Sequence, residues 1–433
     1  MSSATLVPAG ATAARSRLMM TLLAAQVCGS TAQTLTLAMG SIVAADLTGT
    51  NTWSGVPVAV GALGGALASL PLSRLMGRVG RRRGLALGYV LGVTGSVLSM
   101  VGGIERSFGL FLLGMLLFGV GQASSLLGRF AAADVSTAAQ RGGAIGLIVG
   151  GGTAGSILGP NLLAPATSLG LSMGLPEVGG PFLIGIGGFG LAALLIHLLL
   201  RPDPLALAHH FHHPETLARL GHAARPLRTI LRMPRIRIAL GALMVSQLVM
   251  IGTTSTAAVV LHDRGHDVQT IGLAVSLHLG GMYVASPFTG WLCDRVGRLA
   301  MILTGGCLLI LAVVVAGLAP GSAGVLVGLM FCLNGIGWNF AFVAGSALLT
   351  DVLEPAERTS MQGLADLLTG LMGALGSTLG GVVLQSWGFS VLNGAGAVLL
   401  VGPLVATWLG RAALAPQPAQ SPSERSEAAA SSA

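Results

Sequence analysis

Twelve stretches of this chain are each about 20 residues or longer and almost free of charge. Nothing else in the sequence restricts the fold as strongly. A helix needs about 20 apolar residues, at 1.5 Å each, to cross a hydrocarbon layer of roughly 30 Å. The stretches fall near residues 18–40, 53–73, 84–103, 108–128, 143–163, 181–200, 238–260, 270–291, 299–319, 323–348, 361–384 and 390–410. Only 9% of the residues are charged, against roughly 25% in a soluble domain. The fold class that follows is an all-α membrane protein of twelve spans, with the lipid bilayer as its first partner.

An even number of spans puts both termini on one side. All 23 basic residues are arginine, and every one except Arg106 and Arg264 falls in a segment on that side. Arginine-rich short loops stay inside, so this side reads as the cytoplasm. The same distribution argues against a nucleic-acid partner despite the net charge of +8, because the arginines separate spans and do not form one soluble face. The first apolar segment is too long for a signal-peptide core and is expected to remain as a helix. Cys28, Cys307 and Cys332 lie in spans and Cys293 at an inner span end, so no disulfide is expected.

Residues 201–236 divide the spans six and six. This loop carries Pro202, Pro204, Pro214 and Pro226 and His209, His210, His212, His213 and His222, and reads as a solvated linker or a collector of soft metal. The division gives a cytoplasmic tail at 1–17, a bundle at 18–200, the central cytoplasmic loop, a second bundle at 237–411, and a disordered Ala/Ser/Pro-rich tail at 412–433. The bundles are related. Arg78-Val-Gly80-Arg81 recurs as Arg295-Val-Gly297-Arg298, and Asp134-Val with Arg141 and Gly146 recurs as Asp351-Val with Arg358 and Gly363. Both repeats keep one offset, 217 residues. Two motifs at one offset imply duplication, and six helices per copy leave the halves parallel. Parallel halves with a site between them near the midplane are a transporter architecture. The copies differ at one place: Gly77 stands where the second has Asp294.

Twelve spans in two related halves, with Gly-rich basic loops after spans 2 and 8, resemble the major facilitator superfamily. Gly290-x-x-x-Asp294-Arg295-x-Gly297-Arg298 is similar to its signature loop. Gly155-x-x-x-Gly159-Pro160 in span 5 is similar to its antiporter motif, although Leu163 replaces the closing glycine. A narrower resemblance rests on Pro71-x-Ser73 through Arg82, on Arg129 through Asp134, on Gly159-Pro160-Asn161-Leu162, and on Leu277-His278-x-x-Gly281-Met282-Tyr283. These resemble a bacterial branch with CcoA-like copper importers and carriers of organic substrates such as riboflavin. The resemblance implies a multi-pass protein of the bacterial cytoplasmic membrane. It also implies two metal motifs, of which His278 and Met282 fit one. Met250 fits half of the other, where Thr254 replaces the second Met.

By the span limits above, His197, His278 and Asp366 are the acid/base side chains inside the spans. Ionisable groups at membrane depth are costly and are therefore candidates for function. His197 is near an inner end and reads as interfacial. Counted along their helices, Met250 and His278 reach similar depths, and Met282 follows His278 by one turn. One imidazole and two thioethers suit Cu(I); the alternative is a structural histidine with two core methionines. His278 and Asp366 are the proton-coupling candidates, Asp366 being read otherwise as a partner of Arg78 or Arg81. His262, Asp263, His266 and Asp267 in an outer loop form a solvated turn or a cation trap.

The loop charges have a mechanical reading: Asp294 reaching the start of span 5 near Arg141 and Gly142 would latch the inner gate. Asp134 with Arg141, and Asp351 with Arg358, are further latch members. Anchoring of helix ends is the alternative.

No nucleotide loop, hydrolase motif or nucleophile elbow is present, so an enzyme is not expected. The leading reading is a proton-coupled secondary transporter, monomeric and free of cofactors. Its substrate is either copper, held by Met250, His278 and Met282, or a small organic solute in a cavity lined by Gln26, Gln33, Asn334 and Asn339. The organic reading covers uptake of a riboflavin-like metabolite and drug/proton antiport. A membrane sensor or scaffold that has lost transport is the second class.

Overall fold

The computed structural model describes residues 9–50, 53, 55–208, 225–256, 260–261, 264–265, 268–319 and 324–413. The first half contains α1 (Ala9–Thr48), α2 (Val56–Val79), α3 (Arg81–Ile104), α4 (Phe108–Asp134), α5 (Arg141–Gly150), α6 (Gly152–Ser172) and α7 (Gly179–Leu199). The second contains α8 (Pro234–Thr254), α9 (Val268–Tyr283), α10 (Ser286–Val296), α11 (Arg298–Leu318), α12 (Gly324–Val352), α13 (Pro355–Trp387) and α14 (Phe389–Ala413). Short helices at Pro204–Leu207 and Leu227–Arg232 lie in the central loop. The five central-loop histidines and His262, Asp263, His266 and Asp267 are outside the described residues.

Among the described residues, eleven helical spans are long and apolar enough to cross a membrane. The expected eighth span is also present, but in two pieces. α9 has 16 residues and α10 has 11, and the helix breaks before Pro287, which has no N–H to continue the ladder. Asn339 on α12 repairs the break: its amide donates to the Met282 carbonyl at 2.7 Å and also to the Ser286 hydroxyl. Free backbone groups at membrane depth need such partners. Span 5 is likewise divided, at Gly151, into α5 and α6.

Several helices overrun the expected spans at the arginine-rich end. α4 continues to Asp134, α12 to Val352, and α13 begins at Pro355. Hydropathy marks only the lipid-facing length, while a helix continues as long as packing and caps support it. Asp134, Asp351, Arg141 and Arg358, expected in loops, therefore sit on helices.

Each half has its own apolar core. Phe111, Phe118, Phe182, Phe189 and Tyr89 fill the first, and Leu243, Leu309, Val343 and Leu349 the second. Ala133, Ile145 and Val149 of the first half belong to the second core, so the halves share apolar contact at that end.

Two seams join the halves. Along α13, Thr359 meets Gly77, Gly363 meets Ser69 and Ser73, and Gly370 meets Ala66, all on α2. Beyond this point Gly373, Gly376 and Gly380 touch Gln247, Leu248 and Gly252 of α8, within their own half. The other seam runs similarly. Gly142 meets Gly290, Gly146 meets Ser286, Gly150 meets Pro287 and Gly152 meets Tyr283; then Gly155 and Gly159 turn to Ser30 and Thr34 of α1. Each seam therefore closes over about 15 Å from the arginine-rich end and then parts, roughly half the depth of a bilayer core. Among the described residues, both seams are thus closed at the arginine-rich face.

Candidate functional site: a closed gate below a polar layer

The second-half turn passes through Gly297 at φ +101°, a conformation that favours glycine. It brings Asp294 to the start of α5. The carboxylate accepts the Gly142 N–H at 2.9 Å and the Gly143 N–H at 2.7 Å. α5 starts at Arg141 after a short 3₁₀ turn and has no side-chain cap of its own, so these amides are open. Arg298 pairs with Asp294 at 3.0 Å and with Asp351 at 3.0 Å, and its guanidinium also donates to the Ala138 carbonyl. Arg141 crosses the seam to Asp351 at 2.6 Å. Two acids and one arginine of the second half thus reach one arginine of the first, acid and base alternating in sign. Arg295 takes no part in this; it is exposed over the Trp291 ring, 4.4 Å from its centroid.

The first-half turn has the same backbone, with Gly80 at φ +94°. Arg81 donates to Asp134 at 2.8 Å, as Arg298 does to Asp351 at the offset of 217 residues. It crosses the seam only to the Gln362 amide oxygen, at 2.6 Å. The Ser73 hydroxyl crosses to the Thr359 carbonyl. Gly77 packs so closely that a Cβ there would lie 2.5 Å from Thr359 Oγ1. The helix opposite needs no carboxylate, because Glu354 and Glu357 cap α13 from within in a capping box, and Glu357 is held by Arg225 at 2.6 Å. Arg78 is exposed at the end of α2.

The latch pairs differ from those expected. Asp134 is paired with Arg81, and Asp351 with Arg298 and, across the seam, Arg141. Asp366 does not pair with Arg78 or Arg81. It takes a bidentate contact from Arg129 of the opposite half, NH1 to Oδ2 at 3.2 Å and NH2 to Oδ1. Arg129 is 1% exposed, reaches Ser346 at 3.3 Å, and lies over the Phe342 ring at 4.6 Å. Sequence reasoning missed Arg129 because hydropathy ended its span one residue early, whereas α4 carries it inward.

The proposed metal ligands are not brought into one shell. α12 stands between α8 and α9, bonding Thr253 through Asn334 at 3.3 Å and Met282 through Asn339. Met250 is buried against its own helix, with Thr254 Oγ1 at 3.9 Å from its sulfur. His278 donates from Nδ1 to the Phe331 carbonyl of α12 at 3.0 Å, and Met282 is buried in the second core. Equal depth along two helices says nothing of the helix between them. His197 is exposed.

About the level where the seams part, each half presents an amide. Gln26 accepts the Ser125 hydroxyl at 2.8 Å beside Gly151. Gln247 lies beside Gly373 and accepts the Trp338 indole N–H at 2.7 Å. Trp338 stacks on Phe342 with centroids 4.6 Å apart and planes at 19°. Gln33 is half-buried one turn pair further along α1, while Asn339 is fully buried and committed to the helix break. Gly155 and Gly159 seat α6 against α1, within the first half, and Pro160 follows them in the same helix.

The sequence profile of the Major Facilitator Superfamily matches residues 22–262 and 239–432. The chain belongs to the major facilitator superfamily. It is a transporter of that superfamily and not an enzyme. The MFS-type transporter YdeG of Bacillus subtilis is 33% identical over 389 residues, 89% of this chain and 90% of the relative. The riboflavin transporter RfnT of Brucella anthropi is 31% identical over 398 residues, covering 92% and 94%. The crystal structure of the human organic anion transporter MFSD10 superposes with a TM-score of 0.72 at 18% identity, covering 91% of this chain and 99% of that one.

Proposed function

We propose that the protein moves a small, uncharged or weakly charged planar organic solute across the bacterial cytoplasmic membrane by alternating access, coupled to protons. The carrying observation is the polar layer where the seams part: two glutamine amides from opposite halves, and an indole already stacked on Phe342. Amides recognise carbonyl and N–H edges, and an aromatic wall favours a flat ring. The riboflavin transporter among the relatives has a substrate of this kind in its name, which supports the reading. Copper is disfavoured, because Met250 and His278 lie on helices separated by α12.

The arginine-rich face reads as cytoplasmic on the positive-inside rule. The closed seam on that face then makes this a state closed toward the cytoplasm. Asp366 is the proposed proton carrier: protonating it discharges the pair with Arg129 and loosens the seam from within.

Uptake of radiolabelled riboflavin into cells tests the substrate, with labelled copper as comparator. Expression should raise riboflavin uptake but leave copper unchanged. Trp338→Ala should reduce riboflavin uptake about tenfold, the weight of one stacked ring at roughly 1.4 kcal/mol. Copper uptake abolished by His278→Ala would reverse the assignment. Asp366→Asn should allow downhill flux while abolishing accumulation against a gradient.

A further inference from the structure

Beside the first-half turn lies a cavity of about 540 Å³, walled on one side by the turn and on the other by the start of the central loop. Arg82, Arg83 and Arg201 line it. Asp203 is also in the wall, but its carboxylate is already engaged. It accepts the backbone N–H groups of Arg81 at 3.1 Å and Arg82 at 2.9 Å, capping α3, and that of Leu205 at 3.0 Å. The Arg82 side chain donates to the His197 carbonyl, and Arg17 to the Arg201 carbonyl. Among the described residues, no carboxylate forms an ion pair with Arg17, Arg82, Arg83 or Arg201. The related turn in the second half has no such surplus, since Arg298 is paired twice and Arg295 lies on Trp291.

The cavity opens where the spans end. Val79 of its wall, and Leu198 and Leu199 just before Arg201 in the chain, are exposed apolar side chains, at 37%, 51% and 47%. Cationic groups above an apolar skirt match the layering of a lipid, with its phosphate at the interface and its chains below. We propose that this cavity binds the phosphate headgroup of an anionic phospholipid through Arg82, Arg83 and Arg201. The headgroup supplies the missing counter-charge. It also braces the turn that carries Arg81 toward Gln362, across the seam. The inference rests on the reading that this face lies at the inner bilayer surface.

The test uses full-length protein in nanodiscs of phosphatidylcholine doped with phosphatidylglycerol or phosphatidylethanolamine, with retained lipid counted by native mass spectrometry. Wild type should retain phosphatidylglycerol in preference to the other two. The double variant Arg83→Gln/Arg201→Gln should retain roughly tenfold less, because surface arginines each weigh on anionic lipid. The charge-matched control Arg74→Gln/Arg78→Gln, outside the cavity, should retain it as wild type does; unchanged thermal unfolding checks that both variants fold. Equal retention by both double variants, no preference for the anionic lipid, or displacement by inorganic phosphate would each overturn the proposal. Lipid counting does not depend on the transported solute, so it survives an error there. Labelling an Arg83→Cys variant with an impermeant maleimide in intact cells reads sidedness separately.

Discussion

The two Arg-Gly turns repeat one sequence, have the same backbone and press against the opposite half, yet they hold it by different chemistry. The second-half turn places a carboxylate on the open amides of α5 and links four charges in a row, the last of them Arg141 of the first half. The first-half turn has glycine at the equivalent place; there the Arg81 guanidinium crosses to an amide oxygen and the Ser73 hydroxyl to a carbonyl. The reason lies in the helix each turn faces. α5 starts without a cap and needs one from outside, whereas α13 starts earlier and carries its own Glu354/Glu357 box. A latch acid stands where the receiving helix lacks a cap, and glycine stands where that helix caps itself. What strengthens the first seam lies deeper, in the Arg129–Asp366 pair.

That pair offers the largest test. Asp366→Leu leaves Arg129 buried without a counter-charge, and loss of one partner of a buried pair costs about 3–5 kcal/mol. Thermal unfolding should show this, and most of it should return in Arg129→Met/Asp366→Leu. A double variant as unstable as the single would mean the pair does more than neutralise itself.

Next comes the second seam's backbone contact. A Cβ at Gly290 would lie 2.3 Å from the Gly142 carbonyl oxygen. Gly290→Val should therefore oppose the closed state by about 1–3 kcal/mol, a population shift of roughly 5–150-fold. Increased labelling of buried Cys293 by a small maleimide would register it. Unchanged labelling would show that the seam does not close as described.

Asp294→Asn removes a charged acceptor from two amides and from Arg298, worth about 1.5–3 kcal/mol. Gly77→Asp should do less, since α13 is already capped and Thr359 must only give way. Uptake assays on both variants sharpen the comparison directly. Arg225→Gln should be smaller than Asp366→Leu, about 1–3 kcal/mol in thermal stability, because Arg225 is 32% exposed while buried Glu357 keeps the Arg225 and Glu354 backbone N–H groups.

Much of the fold was legible because each span must bury its whole length in lipid and the arginines mark one face. The halves and their offset were legible from the same repeats, as was the place of Asp294. Hydropathy could not show that α4 and α13 continue past the apolar stretch, which concealed Arg129 and misassigned the partner of Asp366. Depth counting put Met250 level with His278 but carried no information on neighbours, and α12 lies between. The Gln247–Trp338 contact joins residues 91 positions apart, and no local pattern announces it.

The asymmetry of the gate is tested most directly by pulsed dipolar EPR between labels replacing Arg74 and Arg295, exposed residues on opposite halves. The distance should lengthen in a large share of molecules in the Asp294→Asn variant and remain near wild type in Gly77→Asp. Equal lengthening in both, or none in Asp294→Asn, would contradict a gate held mainly by the second-half turn.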